Sequence, residues 1–317
     1  MEIVIVEKKT FEALLTAAET LAGKVGELCR RCSDKRESKW LDGQEVCRLM
    51  RISPRTLQTL RDSRKIAFAQ VNRKFYYRPE EVERLVDAAA PDVILHTAAI
   101  SDTGYCEQHP EESRRANVEL PVWLARAARR AGAGLEAFSS DQVYTGLEGP
   151  GPFDETVPLR PANVYGRHKR EAEERVLDQL DSAVLLRATW MYDLPGDGLP
   201  VRGNLPLNLL AAANEGRTLA FSAGDRRGVT WVRQAVENLP AALNWPGGVY
   251  NFGCESDGDM YATALAFCRL LGLDEPPVQK ACWQRCLAMD GGKARRLGAA
   301  FDGTVEGFAR CLAARKK

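Results

Sequence analysis

Three residues of the sequence have the types and spacing needed to move a proton to or from a substrate oxygen. Tyr165 and Lys169 are four positions apart, so on a helix they would lie one turn apart on the same face. A lysine in that place can lower the pKa of the phenol, which makes the tyrosine a proton donor or acceptor near neutral pH. The hydroxyl of Ser140 could hold the reacting oxygen in place. Tyr165 is the one tyrosine of the chain with a lysine four positions after it.

The elements around these residues predict an α/β fold with a parallel sheet. Apolar runs at 91–96, 135–141 and 183–188 suit buried strands, and helical patterns at about 110–130 and 163–175 separate them. In such a sheet the functional residues gather at the carboxyl ends of the strands. Ser140 falls at the end of the second of these strands, so the pattern places it at the functional edge.

Residues 91–314 resemble the extended short-chain dehydrogenase/reductase family, and within it the dTDP-4-dehydrorhamnose reductase (RmlD-like) branch. The resemblance rests on segments in the family's order: PDVILHTAAISDTGYCEQHPEESRRANVELP, FSSDQVYTG, NVYGRHKREAEE, LLRATWMYD, RRGVTWVRQAVENLPAAL and GGVYNFG. It implies a Rossmann-like fold and hydride transfer from NADH or NADPH to a dTDP-linked 4-keto sugar nucleotide.

The resemblance also implies roles for single residues. The catalytic set would be Ser140, Tyr165 and Lys169. Thr97, Ala98 and Ala99 would lie beside the cofactor, together with Tyr165 and Lys169. Asn117, the supporting asparagine of the pattern, would serve the substrate side with Asp141 and Trp190. Arg226 and Arg227 would either meet the substrate phosphates or form a solvated turn.

One part of the family pattern is absent, and in the family it binds the pyrophosphate of the cofactor. The family begins with a strand, a Gly-x-x-Gly-x-x-Gly turn and a helix. The glycines before residue 91 are Gly23, Gly26 and Gly43, and the first two lie in a helical pattern that follows no strand. We therefore expect a sheet without its first three strands, with an exposed edge and an uncovered apolar surface. Cofactor binding, and with it activity, is expected to be impaired.

The residues before the reductase-like part have the charge of a polyanion binder. Residues 39–78 hold ten Lys or Arg and three Asp or Glu. A short helix is predicted at 44–50. Ser53 and Pro54 are suited to start a second helix that reaches Arg61, and the alternation over 66–77 predicts a hairpin.

This order of elements resembles a winged helix-turn-helix of the excisionase and MerR type. It implies DNA binding through Arg55, Thr56, Gln58, Arg61, Arg73 and Lys74. A basic, solvated surface is the alternative. Further upstream, residues 11–28 carry apolar side chains at heptad spacing, which predicts a coiled-coil helix and a homodimer. A helix packed on its own domain is the alternative there.

The predicted organisation is a coiled-coil helix at 1–37, a winged helix-turn-helix at 38–88 and a truncated reductase domain at 89–317. With 44 Lys or Arg, 43 Asp or Glu and 45% hydrophobic residues, the composition is that of a globular protein. No apolar run reaches the roughly 18–20 residues of a membrane helix. The nine cysteines form no zinc framework, so no metal and a cytoplasmic location are expected.

Two hypotheses from different classes follow from this organisation. In the first, the chain is a NAD(P)H-dependent sugar-nucleotide reductase by descent, fused to a DNA-binding module. In the second, it is a dimeric DNA-binding regulator whose reductase-like part is inert or senses a ligand. The first accounts for the larger part of the sequence.

Overall fold

A computed structural model of the chain describes residues 41–43, 46–47, 53–63, 66, 69–71, 74–77, 90–196, 201 and 203–315. The chain divides into two units, residues 1–85 and 86–317. The predicted coiled-coil helix at 1–37 lies outside the described residues. So do most of the predicted helix at 44–50 and the side chains of Arg73 and Lys74.

In its described residues, the first unit contains a helix and a small antiparallel sheet. Helix α1 is Pro54–Asp62. Strands β1 (Leu41–Asp42), β2 (Ala69–Val71) and β3 (Lys74–Tyr77) pair in the order β1-β3-β2. The hydroxyl of Ser53 accepts a hydrogen bond of 2.9 Å from the Thr56 amide, and Pro54 occupies the first turn. The predicted helix start and the predicted hairpin are therefore both present.

The second unit is built on a parallel sheet, as the sequence predicts; the sheet has four strands, one more than the sequence indicates. Its strands are β4 (Val93–His96), β5 (Gly134–Ser140), β6 (Val184–Ala188) and β10 (Gly248–Phe252), in the order β10-β6-β5-β4. Helices α4 (Leu120–Ala131) and α5 (Val164–Gln179) pack apolar side chains on one face. Helix α7 (Val232–Ala242) packs on the other. This layering places α5 directly behind the central strands.

The remaining elements surround this sheet and form a second core. Helices α2 (Thr103–Gln108) and α3 (Pro110–Arg114) follow β4. Two parallel strand pairs join β7 (Trp190–Tyr192) to β9 (Val229–Trp231), and β8 (Leu219–Arg226) to β11 (Val278–Cys286). The other helices are α6 (Leu205–Asn214), α8 (Met260–Leu270), α9 (Gly292–Arg296) and α10 (Thr304–Arg315). The rings of Phe267 and Phe308 stack with their centroids 4.0 Å apart and belong to the second core.

Strand β4 is the outer strand of the parallel sheet within the described part of the chain. Its Ile94 packs into the core shared with α4 and α5. Val93 and Leu95 alternate to the opposite face and are 38% and 46% exposed. Within the described part of the chain no strand pairs with the outer side of β4, and the loss of the first three strands stays a prediction. Among the described helices, none is long and apolar enough to span a bilayer.

Candidate active site

Ser140, Tyr165 and Lys169 come together where β5 ends and α5 begins. Ser140 is the last residue of β5, and Tyr165 lies in the first turn of α5, one turn before Lys169. Their exposed fractions are 8%, 5% and 3%. The sequence prediction that these three residues share one edge of the sheet agrees with this geometry.

Two side chains start α5 at this point. The side chain of Asn163 accepts a hydrogen bond of 2.7 Å from the Gly166 amide, and the carboxylate of Glu107 on α2 accepts one of 2.6 Å from the Val164 amide. Gly166 also permits close approach, because a Cβ atom there would lie 2.3 Å from the carbonyl oxygen of Gln142. The turn that carries Tyr165 is thus fixed from three directions.

The polar surroundings of Tyr165 and Lys169 are internal. The Ser140 hydroxyl donates a hydrogen bond of 3.2 Å to the Asp141 carboxylate, and it also acts on the Tyr165 phenol, favouring a lower pKa. The Lys169 Nζ donates a hydrogen bond of 2.9 Å to the carbonyl oxygen of Phe138 and lies 5.8 Å from the centroid of the Tyr165 ring. The three side chains therefore form one cluster, with the lysine behind the phenol.

Burial dominates the protonation of this cluster. It lowers the pKa of Lys169 to about 8, against the opposing charge of Glu173. Burial also raises the pKa of Tyr165 above its ordinary value, and the nearby Ser140 hydroxyl only partly offsets this. The expectation of a lowered phenol pKa is therefore wrong for the free protein, because desolvation dominates and Lys169 is not among the groups that shift this pKa. The phenol is held protonated, which is the form that donates a proton.

Asp141 and Trp190, predicted on the substrate side, are joined by Arg227. Asp141 opens the 3-10 turn Asp141–Tyr144 that follows β5, and its carboxylate lies 2.5 Å from the Arg227 guanidinium. The same guanidinium lies 5.4 Å from the centroid of the Trp190 ring. The Arg227 side chain is thus largely buried in an ion pair and does not form a solvated turn. Its contact with substrate phosphates stays a prediction.

Asn117 lies in a π-helical turn, Arg115–Glu119, between α3 and α4. The predicted single helix over about 110–130 is therefore interrupted at a residue the sequence singled out, as π turns often are at functional sites. The side-chain amide of Asn117 donates a hydrogen bond of 2.9 Å to the backbone carbonyl oxygen of Ile100. Its side-chain oxygen accepts one of 3.2 Å from the Ile100 backbone N–H. It thereby fastens the segment with Thr97, Ala98 and Ala99. Its contact with substrate stays a prediction.

The described residues fit one end of a nicotinamide dinucleotide. Small side chains follow β4: Thr97 is exposed, and Ala98 and Ala99 are half-buried. Ile100, the next residue, packs against Tyr165, so this segment leads to the Tyr165–Lys169 pair. The pyrophosphate end needs a parallel strand, a glycine-rich turn and a helix. The helix described in the first unit, α1, begins at Ser53–Pro54 beside an antiparallel sheet. That arrangement does not fit the pyrophosphate.

Comparison with known proteins bears directly on this cluster. The family model of the RmlD substrate binding domain matches residues 55–285. The match includes Ser140, Tyr165 and Lys169. It begins inside the first unit, within the segment for which the sequence predicts a helix-turn-helix.

Two curated relatives share one enzyme name. The dTDP-4-dehydrorhamnose reductase of Salmonella typhimurium is 30% identical over 183 residues, which are 56% of this chain and 58% of that protein. The Streptomyces griseus protein of the same name is 30% identical over 60% of this chain and 62% of its own length. The chain thus spans about three fifths of these relatives.

A dTDP-4-dehydrorhamnose reductase structure from Bacillus anthracis in complex with NADP superposes with a TM-score of 0.67 at 19% identity, over 74% of this chain and 85% of that one. A UDP-glucose 4-epimerase from Thermotoga maritima gives a TM-score of 0.62 at 17% identity, over 75% and 82% of the two chains. These likenesses show the Rossmann-like fold of the extended short-chain dehydrogenase/reductase type.

The sequence reasoning missed three residues of the site. Glu107 and Asn163 fix the start of α5, and Glu173 acts on Lys169. Glu173 carried a signal, since it continues the four-residue spacing of Tyr165 and Lys169. Glu107 carried none, because its contact with α5 depends on how α2 packs.

Proposed function

The chain belongs to the family of the RmlD substrate binding domain, and we propose that residues 89–317 form the proton-donating part of a NAD(P)H-dependent reductase for a 4-keto sugar nucleotide. The observation that carries the proposal is the convergence of Ser140, Tyr165 and Lys169 at the carboxyl end of β5. The reductase names of the curated relatives support a dTDP-linked sugar as the substrate.

Each residue of the cluster has a task in the proposed reaction. A nicotinamide, when bound, supplies the hydride. Tyr165 donates its phenolic proton to the carbonyl oxygen, and the Ser140 hydroxyl donates a hydrogen bond to the same oxygen. The charge of Lys169 stabilises the phenolate that remains. Burial of all three side chains keeps water from the proton path.

The substrate side is proposed to lie along Asp141 and Trp190. Arg227 holds the two together through an ion pair and a cation–π contact. Asn117 would serve the substrate side indirectly. It fixes the segment after β4, where Thr97, Ala98 and Ala99 would contact the cofactor that faces the substrate.

The reductase proposal is tested with cofactor in excess. Because residues 1–90 lack the glycine-rich turn, we expect weak cofactor binding and turnover only at millimolar NADPH or NADH. The whole chain is incubated with a dTDP-linked 4-keto-6-deoxy sugar, and mass spectrometry looks for a product with two added hydrogen atoms. dTDP-glucose, which has no keto group, is the control. Absence of the reduced product at millimolar levels of both cofactors would overturn the proposal.

A second function is proposed for residues 38–88, which would bind DNA. Helix α1 starts at the predicted cap, and the predicted hairpin β2–β3 follows it. Arg55, Thr56 and Gln58 are exposed on α1, whereas Leu57 is buried. These observations support a helix that offers one polar face to a groove, with a wing beside it. Self-association through the heptads of residues 11–28 would make the binding unit a dimer.

DNA binding is tested by gel shift of a duplex over a range of salt. We expect the affinity of the whole chain to fall steeply with salt. Replacing Arg55 with alanine should weaken binding and reduce the salt slope by about one. Arg233→Ala, which changes an exposed arginine of the second unit, should leave binding unchanged. A shift that survives deletion of residues 39–78 would contradict the proposal.

A further inference from the structure

Helix α5 carries a third ionisable side chain on the face that holds Tyr165 and Lys169. Glu173 follows Lys169 by one turn and is 4% exposed. A carboxylate buried to this degree needs partners, because desolvation of an unpaired charge is costly. The partners of Glu173 are all provided by the sheet.

A row of polar side chains crosses three adjacent strands of the sheet beneath Glu173. Ser139 on β5 is paired in register with Arg187 on β6, which is paired with Asn251 on β10. The Ser139 hydroxyl donates a hydrogen bond of 2.5 Å to the carboxylate of Glu173. The Arg187 guanidinium donates to both carboxylate oxygens, at 3.0 and 2.7 Å. The carboxylate is thus held by three hydrogen bonds.

The far end of the row is fixed as well. A further Arg187 nitrogen donates a hydrogen bond of 2.8 Å to the Tyr144 hydroxyl. That hydroxyl in turn donates one of 2.7 Å to the side-chain oxygen of Asn251. The Asn251 amide donates to the carbonyl oxygens of Phe153 and Asp290, at 2.9 and 3.0 Å. Arg187 therefore cannot swing away without breaking contacts on several elements. The position of the Glu173 charge is set by the whole row.

The charged and titratable groups that act on Lys169 are few. Glu173, on the same helix, favours the ammonium, and Cys106 on α2 does so only in its thiolate form, which burial disfavours by raising the pKa of the Cys106 thiol. Toward β5 the Lys169 Nζ donates its hydrogen bond to the Phe138 carbonyl oxygen, which is a neutral acceptor. Arg187 and Ser139 face Glu173, and Tyr165 lies in front of the lysine. Glu173 is thus the carboxylate that balances the buried ammonium.

We propose that Glu173 is a positioning residue of the Tyr165–Lys169 pair: held by Arg187 and Ser139, its carboxylate keeps Lys169 charged at neutral pH from the side away from the substrate. This role rests on the proposed function in one respect: the proposed reaction is what requires a charged Lys169. The electrostatic link can be measured without turnover.

The link is tested by the protonation midpoint of Lys169 in the whole chain. Lysine labelled with ¹³C at the ε position is followed by NMR against pH, and the Lys169 signal is assigned by its loss in Lys169→Arg. We expect a midpoint near 8 in the natural chain. In Glu173→Gln it should fall by about one unit or more, because an opposite charge nearby is removed. Glu173→Asp, which keeps the charge, should restore most of the difference.

A second variant and a control keep the test decisive. Glu173→Gln alone leaves Arg187 without its carboxylate, so the double variant Glu173→Gln/Arg187→Met removes both charges. Its Lys169 midpoint should fall in the same direction, because Arg187 acts on Glu173 and not on the lysine. Glu174→Gln, which changes an exposed carboxylate of the same helix, should leave the midpoint unchanged. A midpoint that stays at the natural value in the double variant would overturn the proposal, whether or not the chain reduces a sugar nucleotide.

Discussion

Glu136 is predicted to make the second unit less stable as the pH rises, and its replacement should remove this effect. The residue lies on β5, between Leu95 of β4 and Val184 of β6 in register, and is 1% exposed. Neither carboxylate oxygen has a hydrogen-bond partner. Burial raises the pKa of Glu136 from 4.5 to about 7. The folded chain therefore holds a proton on Glu136 that the unfolded chain releases at lower pH.

The sign and the size of the effect follow from this difference. Below about pH 4.5 the carboxyl is protonated in both states, and the group carries no penalty. Between about pH 4.5 and pH 7 the unfolded chain releases this proton while the folded chain keeps it, so stability falls as the pH rises; above pH 7 both states are ionised and the loss is complete. One pKa unit corresponds to about 1.4 kcal/mol, so the loss between pH 5 and pH 8 is about 2.5 kcal/mol. Glu136→Gln has no ionisation and should escape this loss.

The assay is urea unfolding at pH 5 and pH 8, followed by tryptophan fluorescence. Trp245 packs beside Tyr250 of β10 and reports on the sheet that contains Glu136. Between the two pH values, the gap in unfolding free energy between Glu136→Gln and the natural chain should widen by about 2.5 kcal/mol in favour of the variant. Glu174→Gln, an exposed change, should show no such widening. A constant gap for Glu136→Gln would refute the reasoning, because the carboxyl would then ionise alike in both states.

Three further changes have expected outcomes. Arg187→Met should lower the unfolding free energy by about 3–5 kcal/mol, because Glu173 loses its bidentate partner. Urea unfolding measures this, and Glu173→Gln/Arg187→Met should recover part of the loss. Gly166→Ala should lower the melting temperature despite the better helix propensity of alanine, since its Cβ would lie 2.3 Å from the Gln142 oxygen. An unchanged melting temperature would mean that the turn can move. Ser140→Ala should lower kcat for the 4-keto sugar nucleotide about 100-fold, whereas Ser256→Ala, which removes a hydroxyl bonded to the Gly258 carbonyl oxygen of its own loop, should not.

The sequence predicted the parts of the fold that depend on local pattern. Apolar runs mark β4, β5 and β6, and the spacing of Tyr165 and Lys169 marks one face of α5. The start of α1 followed from Ser53 and Pro54, whose capping is a local interaction. The absence of a glycine-rich turn predicted an exposed sheet edge, and in the described part of the chain the side chains of Val93 and Leu95 on β4 are partly exposed.

Features that depend on register and burial escaped the sequence. The row of Ser139, Arg187 and Asn251 exists only because three strands separated in the chain pair in one register. The raised pKa of Tyr165 reflects the depth of its burial, which spacing does not encode. The π-helical turn at Asn117 had no local signal, since the surrounding pattern is that of an ordinary helix.

The most direct test of the proposed proton donor compares two tyrosines that each lie beside a lysine. The Lys169 Nζ is 5.8 Å from the Tyr165 ring, and the Lys280 Nζ is 5.7 Å from the Tyr261 ring. Initial rates of NADPH oxidation are measured at millimolar cofactor with the dTDP-linked 4-keto sugar. Tyr165→Phe should lower the rate by about 100-fold or more, whereas Tyr261→Phe should leave it unchanged. If Tyr165→Phe keeps the natural rate, Tyr165 is not the proton donor and the proposed site is wrong.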